Sequence, residues 1–238
     1  MLEGRVALVT GASRRAGIGY AVATRLASLG AQVFTQGWTP HDAAQPWGAE
    51  PEPPSEFPYV EADFADADAP ARVVQAAVDE LGRLDVLVAN HARSGHGRLG
   101  ELTAAELDAF LAENVRATLL LVREFAARHD GAPGGRVVLL TSGQHRGPMA
   151  REVAYAVSKG ALQQATATLA AELWPRGITV NCVNPGPTAT GWEKTDPSVA
   201  SIPFGTPDDA ARLIAWLCTD DARWITGQTI DSEGGFRV

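Results

Sequence analysis

The residues best suited to chemistry in this chain are Tyr155 and Lys159, with Ser142 upstream of them in the stretch TSGQHRGPMAREVAYAVSK that runs from Thr141 to Lys159. Four residues apart on a helix, Tyr155 and Lys159 share one face, so the ammonium can lie near the phenol. A free tyrosine has a pKa of about 10 and is a poor acid–base catalyst at neutral pH, but a neighbouring cation stabilises the phenolate and draws that value toward the working range. Ser142 follows the apolar run Arg136-Val-Val-Leu-Leu140, which reads as a buried strand. Its hydroxyl therefore emerges at the strand's carboxyl end, where open α/β sheets bind ligands.

Tyr155-Ala-Val-Ser-Lys159, with a serine thirteen positions before the tyrosine, resembles the marker of the short-chain dehydrogenase/reductase family, in particular its 3-oxoacyl-acyl-carrier-protein reductase-like members. The resemblance extends over nearly the whole chain. It implies that Tyr155 donates a proton to a carbonyl oxygen and that Ser142 hydrogen-bonds that oxygen. Lys159 would hold the nicotinamide ribose and depress the tyrosine pKa, and Asn114, in Glu113-Asn-Val-Arg-Ala117, would anchor a relay water. An asparagine inside a buried helix can equally serve a kinked backbone as a hydrogen-bond partner.

The elements that must position these residues begin with Arg5-Val-Ala-Leu-Val9, a β-type run. The turn Thr10-Gly-Ala-Ser-Arg-Arg-Ala-Gly-Ile-Gly19 follows, and then a helical pattern from Tyr20 to Leu29. Strand, glycine-rich turn and helix form a dinucleotide-binding context: glycines let the backbone approach a pyrophosphate, and the helix amino end offers free N–H donors. The resemblance assigns Gly11, Ser13, Arg14, Arg15, Gly17, Ile18 and Gly19 to the cofactor. Five residues separate Gly11 from Gly17 where the family has three.

The second strand, Ala31 to Thr35, ends in Gln36-Gly37-Trp38. An acid usually holds the ribose hydroxyls of NAD at such an exit, whereas a 2′-phosphate requires a cation. Gln36 is neutral and Arg14 and Arg15 are basic, so NADP(H) is the expected cofactor. The segment from Thr39 to Pro58 carries six prolines and no clear period, and reads as an irregular loop with a short helical turn at most. Tyr59 to Asp63 restores a strand; Asp63 and Phe64 match the family's adenine contact, although Asp63 could instead cap the helix Pro70 to Leu81.

Leu84 to Val88 is a fourth strand whose exit, Ala89-Asn-His-Ala92, stands where relatives carry Asn-Asn-Ala-Gly; Asn90 is kept and His91 departs. Helices are expected over Thr103 to about His129, opened by the capping box Thr103-Ala-Ala-Glu106, and over Glu152 to Trp174. Ile178 to Val183 reads as a strand, Pro207 to Leu217 as a helix and Trp224 to Asp231 as the last strand. By resemblance Pro185, Gly186, Thr188 and Thr190 lie beside the nicotinamide. The implied fold is α/β: residues 1–238 form a single doubly wound Rossmann-type domain with a seven-stranded, mainly parallel sheet and helices on both faces.

Composition bounds the function. With 238 residues, 45% of them hydrophobic, the chain can bury a large core, and its net charge of −8 argues against nucleic acid as a partner held by general attraction. Cys182 and Cys218 are far apart and suggest neither a disulfide framework nor a zinc site. No metal is expected. The start lacks a signal-peptide pattern and no apolar run approaches about 18 residues, so no membrane association and a cytoplasmic location are expected. Family resemblance implies a homo-oligomer, a dimer or homotetramer paired through the two long helices.

The expected reaction is NADPH-dependent interconversion of a carbonyl and an alcohol. Two alternatives are a catalytically silent NADP-binding regulator, which should have lost a catalytic residue, and an enoyl reductase, whose tyrosine and lysine are separated by six residues rather than three. For the substrate, the segments 91–98 and 143–151 hold no acid but carry Arg93, Arg98, Arg146 and Arg151 with His91, His96 and His145. They suggest a basic mouth for an anionic or carrier-bound carbonyl compound, unless these are merely solvated loop charges.

Overall fold

Residues 1–192 and 202–236 are described in a computed structural model of the chain. Seven strands, β1 (Val6–Thr10), β2 (Gln32–Gly37), β3 (Tyr59–Glu61), β4 (Val86–Ala89), β5 (Gly135–Leu140), β6 (Ile178–Asn184) and β7 (Thr229–Asp231), form one sheet in the order β3-β2-β1-β4-β5-β6-β7. Every pairing is parallel. A parallel sheet needs crossovers that cover both faces, which explains why its central strands are continuous apolar runs.

The two faces can be read residue by residue. Val6 and Leu8 of β1, Leu87 of β4 and Val137 and Leu139 of β5 pack with α3 (Ala69–Leu81), α5 (Ala117–Arg128) and α6 (Val153–Leu173). Their neighbours Ala7, Val9, Val86, Val88, Val138 and Leu140 point the other way, onto α1 (Ile18–Ser28) and α7 (Pro207–Leu217). The chain order reverses between β1 and β4, which opens a crevice at the strands' carboxyl ends.

The proline-rich crossover is irregular, as expected, apart from the five-residue helix α2 (Thr39–Ala43), which has a proline at its start. Two elements depart from the sequence reading. The helix expected over 103–129 is divided: α4 (Ala104–Phe110), capped by the Thr103 hydroxyl, runs into a π-helical turn at Leu111–Arg116 before α5 begins. β7 is shorter than expected because residues 222–227 turn. Ile225 N–H donates to the Ala222 carbonyl, and Gly227 holds φ +73° while its N–H reaches Val180.

Candidate active site

A cavity of about 770 Å³ lies at the carboxyl end of the sheet and receives the exits of all seven strands, from Gly11 after β1 to Glu233 after β7. Of the residues assigned by sequence, Gly11, Ser13, Arg14, Gly17, Ile18, Asp63, Phe64, Asn90, Ser142, Tyr155, Pro185, Gly186, Thr188 and Thr190 line it. Arg15, Gly19, Asn114 and Lys159 do not.

At the catalytic end, Ser142 follows β5 in extended backbone and its side chain hydrogen-bonds Tyr155, which stands in the first turn of α6. Burial pushes the phenol up to about 12; the Ser142 bond works against that shift and the Glu152 carboxylate adds to it. The phenol is thus held above its ordinary value, not depressed as the sequence suggested. Burial is the cause, and Lys159 does not offset it: its Nζ donates to the Leu140 carbonyl at 3.0 Å and lies 5.8 Å from the Tyr155 ring centroid. Burial draws the ammonium itself down to about 8.

Asn114 sits in the π-helical turn, fully buried. Its Oδ1 accepts from Arg93 N–H at 2.7 Å, and its Nδ2 donates to the Arg93 carbonyl at 3.0 Å and to Ser158 Oγ at 2.9 Å. Both amide hydrogens are bonded to protein, one to the Arg93 backbone and one to the Ser158 hydroxyl.

The glycine turn is built by close approach. Gly11 holds φ +69°, and a Cβ there would come within 2.7 Å of the His91 backbone. A Cβ on Gly19 would lie 2.3 Å from the Gly11 carbonyl oxygen, whereas one on Gly17 would meet only the Arg14 carbonyl, at 3.1 Å. Asn90 Nδ2 donates to the carbonyls of Thr10 and Gly11 and ties the turn to β4. Gln36 Oε1 accepts from Gly11 N–H at 3.1 Å and its amide reaches Gly37 and Ala62, which buries the neutral residue at the exit of β2. Asp63 accepts from Ala65 N–H in the turn after β3 and does not cap α3, whose N-cap is Asp68. Phe64 lies tilted against His91, with ring centroids 4.3 Å apart.

The arginines of the turn are not equivalent. Arg15 points outward to Glu50 at 2.8 Å and Glu56 at 3.2 Å, acids of the proline-rich segment. Arg14 remains in the cavity and pairs with Asp42 at 3.1 Å. Asp42 is an acid the sequence reading missed at this end, and it is carried there by α2.

Acids also face several of the basic groups at the mouth. Arg93 pairs with Glu113 at 2.8 Å, His96 with Glu152 at 3.4 Å and His145 with Asp231 at 3.0 Å, while Arg146 lies 3.7 Å from Asp231 and 3.9 Å from Glu233. His91 is buried; desolvation foremost, with the Lys159 charge, lowers it to about 3, so it is neutral.

Comparison with known proteins decides the family. A family model described as Enoyl-(Acyl carrier protein) reductase matches residues 11–237. An uncharacterized oxidoreductase of Bacillus subtilis, YjdA, is 40% identical over 245 residues, covering 98% of this chain and 96% of that protein. The chain belongs to the short-chain dehydrogenase/reductase family. Among solved members of that family, one from Serratia marcescens BCRC 10948 has a TM-score of 0.86 at 34% identity, covering 100% of this chain and 99% of its own. A short chain dehydrogenase from Burkholderia cenocepacia J2315, solved in complex with NADP, has a TM-score of 0.84 at 35% identity with the same coverage. The protein is an oxidoreductase of this family, and its glycine cradle, free α1 amino end and strand-exit cavity fit a nicotinamide dinucleotide.

Among the described residues no helix is long and apolar enough to cross a membrane, and no group of three or more His, Cys, Asp or Glu could hold a metal ion. Cys182 and Cys218 are free and buried.

Proposed function

We propose that the protein is an NADP(H)-dependent carbonyl reductase. The observation that carries this reading is the Tyr155 phenol, which lines the cavity hydrogen-bonded to Ser142 and is protonated at neutral pH. That is the state needed to give a proton to a carbonyl oxygen. The bound nicotinamide supplies the hydride. Ser142 is positioned to hydrogen-bond the same oxygen. Lys159, at about 8, keeps most of its charge at pH 7 and lies 5.8 Å from the ring centroid.

NADPH is favoured over NADH by the neutral Gln36, by Arg14 in the cavity wall and by the NADP-bound relative. The acids beside Arg93 and Arg146 favour an uncharged carbonyl compound over a carboxylate. Exposed Leu119 on α5 and Val157 on α6 support pairing of copies through these helices.

The test is NADPH oxidation by purified protein with a panel of neutral ketones, 3-oxoacyl thioesters and enoyl thioesters, repeated with Tyr155→Phe. Ketone-dependent turnover that falls roughly 10²–10⁴-fold in the variant, with NADPH affinity kept, is expected. Turnover of the enoyl compounds alone would shift the reading to double-bond reduction. NADPH binding without turnover of any compound would favour a silent cofactor-binding protein.

A further inference from the structure

Asp42 has no counterpart in the strand-exit position from which cofactor choice was read. It lies one helical turn beyond β2 and is buried, yet it lines the cavity beside Ser13 and Arg14. Its carboxylate accepts from Ser13 Oγ–H and from Trp47 Nε1–H at 3.2 Å, and pairs with Arg14 Nε at 3.1 Å. Arg14 is held further by the Thr190 carbonyl at 2.9 Å and lies over the Trp47 ring at 5.2 Å. The other basic groups nearby do not substitute for it. Arg15 faces Glu50 and Glu56, and burial lowers the pKa of His41, which keeps its imidazole neutral at pH 7.

The two opposed determinants of the ribose subsite, an acid that suits a 2′-hydroxyl and an arginine that suits a 2′-phosphate, are therefore both present and bonded to each other. We infer that Asp42 is a specificity-determining residue: by holding Arg14 in an internal ion pair, it limits the preference of the site for a 2′-phosphorylated dinucleotide and keeps the unphosphorylated form acceptable. A 2′-phosphate must compete with a buried carboxylate for the guanidinium and must approach that carboxylate's like charge. Removing the charge while keeping the shape should release Arg14 for the phosphate. This inference rests on the dinucleotide reading of the cavity.

The experiment measures binding, not turnover. Adenosine 2′,5′-bisphosphate and adenosine 5′-monophosphate are titrated calorimetrically into the full-length protein, Asp42→Asn, Asp42→Ser and Arg14→Ala. The ratio of the two affinities is the readout, because loosening of α2 would weaken both probes and cancel. The ratio is expected to rise about tenfold or more in both Asp42 variants, through tighter bisphosphate binding, and to fall in Arg14→Ala. A ratio within about twofold of the unmodified protein in a folded Asp42 variant, or a lower one, overturns the inference and assigns Asp42 to holding α2. If neither probe binds the unmodified protein, the dinucleotide reading itself fails and takes this inference with it.

Discussion

Replacing His91 by asparagine should remove a specific acid sensitivity. The imidazole is buried against Phe64, with Nε2 facing the Glu113 carbonyl at 3.1 Å and Nδ1 facing the Thr10 hydroxyl at 2.8 Å. A carbonyl can only accept, so Nε2 carries the hydrogen and Nδ1 accepts from Thr10: the ring is bonded as a neutral group. Its pKa is about 3 here against about 6.5 in an unfolded chain. Between those values the unfolded state binds the extra proton, so stability rises with pH across the window and is lost as pH falls from about 6.5 toward about 3. At about 1.4 kcal/mol per unit, the loss from pH 7 to pH 5 is about 2 kcal/mol from this residue alone, or about 4–8 °C in Tm for a domain of this size. Thermal denaturation of the unmodified protein and of His91→Asn at pH 7 and pH 5 isolates it. Any constant cost of the smaller side chain cancels when each protein is compared with itself. The unmodified protein should lose about 4–8 °C more than the variant. Parallel losses would show that His91 takes up its proton without unfolding and that the neutral, doubly bonded ring is the wrong description.

Gly19→Ala should be far more damaging than Gly17→Ala, since only the former drives a Cβ to 2.3 Å from a backbone oxygen. A loss of about 1–3 kcal/mol in denaturant unfolding is expected for Gly19→Ala, with weakened NADPH binding, and less than half of that for Gly17→Ala; equal effects would contradict the packing. Because Arg93 and Arg146 face acids, kcat/KM for a carboxylate-bearing ketone should change by less than about twofold between about 0.01 and about 0.15 M salt, like that for a neutral one. A selective fall of about tenfold for the charged ketone would restore a basic mouth.

The sheet was legible because each central strand is an unbroken apolar run with a turn signal at its end, and a strand buried on both faces has to be written that way. The exits were therefore legible too, and with them Gly11, Asn90, Ser142 and Tyr155. What escaped depends on tertiary placement. Nothing in the spacing of Thr39–Pro58 announces that Asp42 returns to the glycine turn or that Glu50 and Glu56 take up Arg15, because an irregular segment has no period from which to read a facing side. The acids at the mouth were hidden for a related reason: segments 91–98 and 143–151 hold no acid themselves, but Glu113 reaches one from the π-helical turn and Asp231 and Glu233 reach the other from the end of β7. Charge balance at a site belongs to the fold's neighbours, not to a stretch of sequence.

The π-helical turn shows how the fold carries the chemistry at a distance from it. Periodicity at Leu111–Arg116 gives no warning of a widened turn, yet such turns are rare and cluster at functional sites. Here the turn places Asn114 so that its amide spans three segments: it closes two bonds on the Arg93 backbone beyond β4 and donates to Ser158 Oγ, which in turn donates to the Tyr155 carbonyl at 2.8 Å. Thr118 Oγ1 donates back to the Asn114 carbonyl at 2.7 Å, across the junction with α5. The buried asparagine is thereby satisfied, and the satisfaction fixes the first turn of α6 relative to the exit of β4. Tyr155 needs such fixing, because Ser142 approaches it from a different element, β5, and a proton donor held a fraction of an ångström out of line loses much of its advantage. The cost of an asparagine in a helical segment is offset by the bonds that its amide makes there.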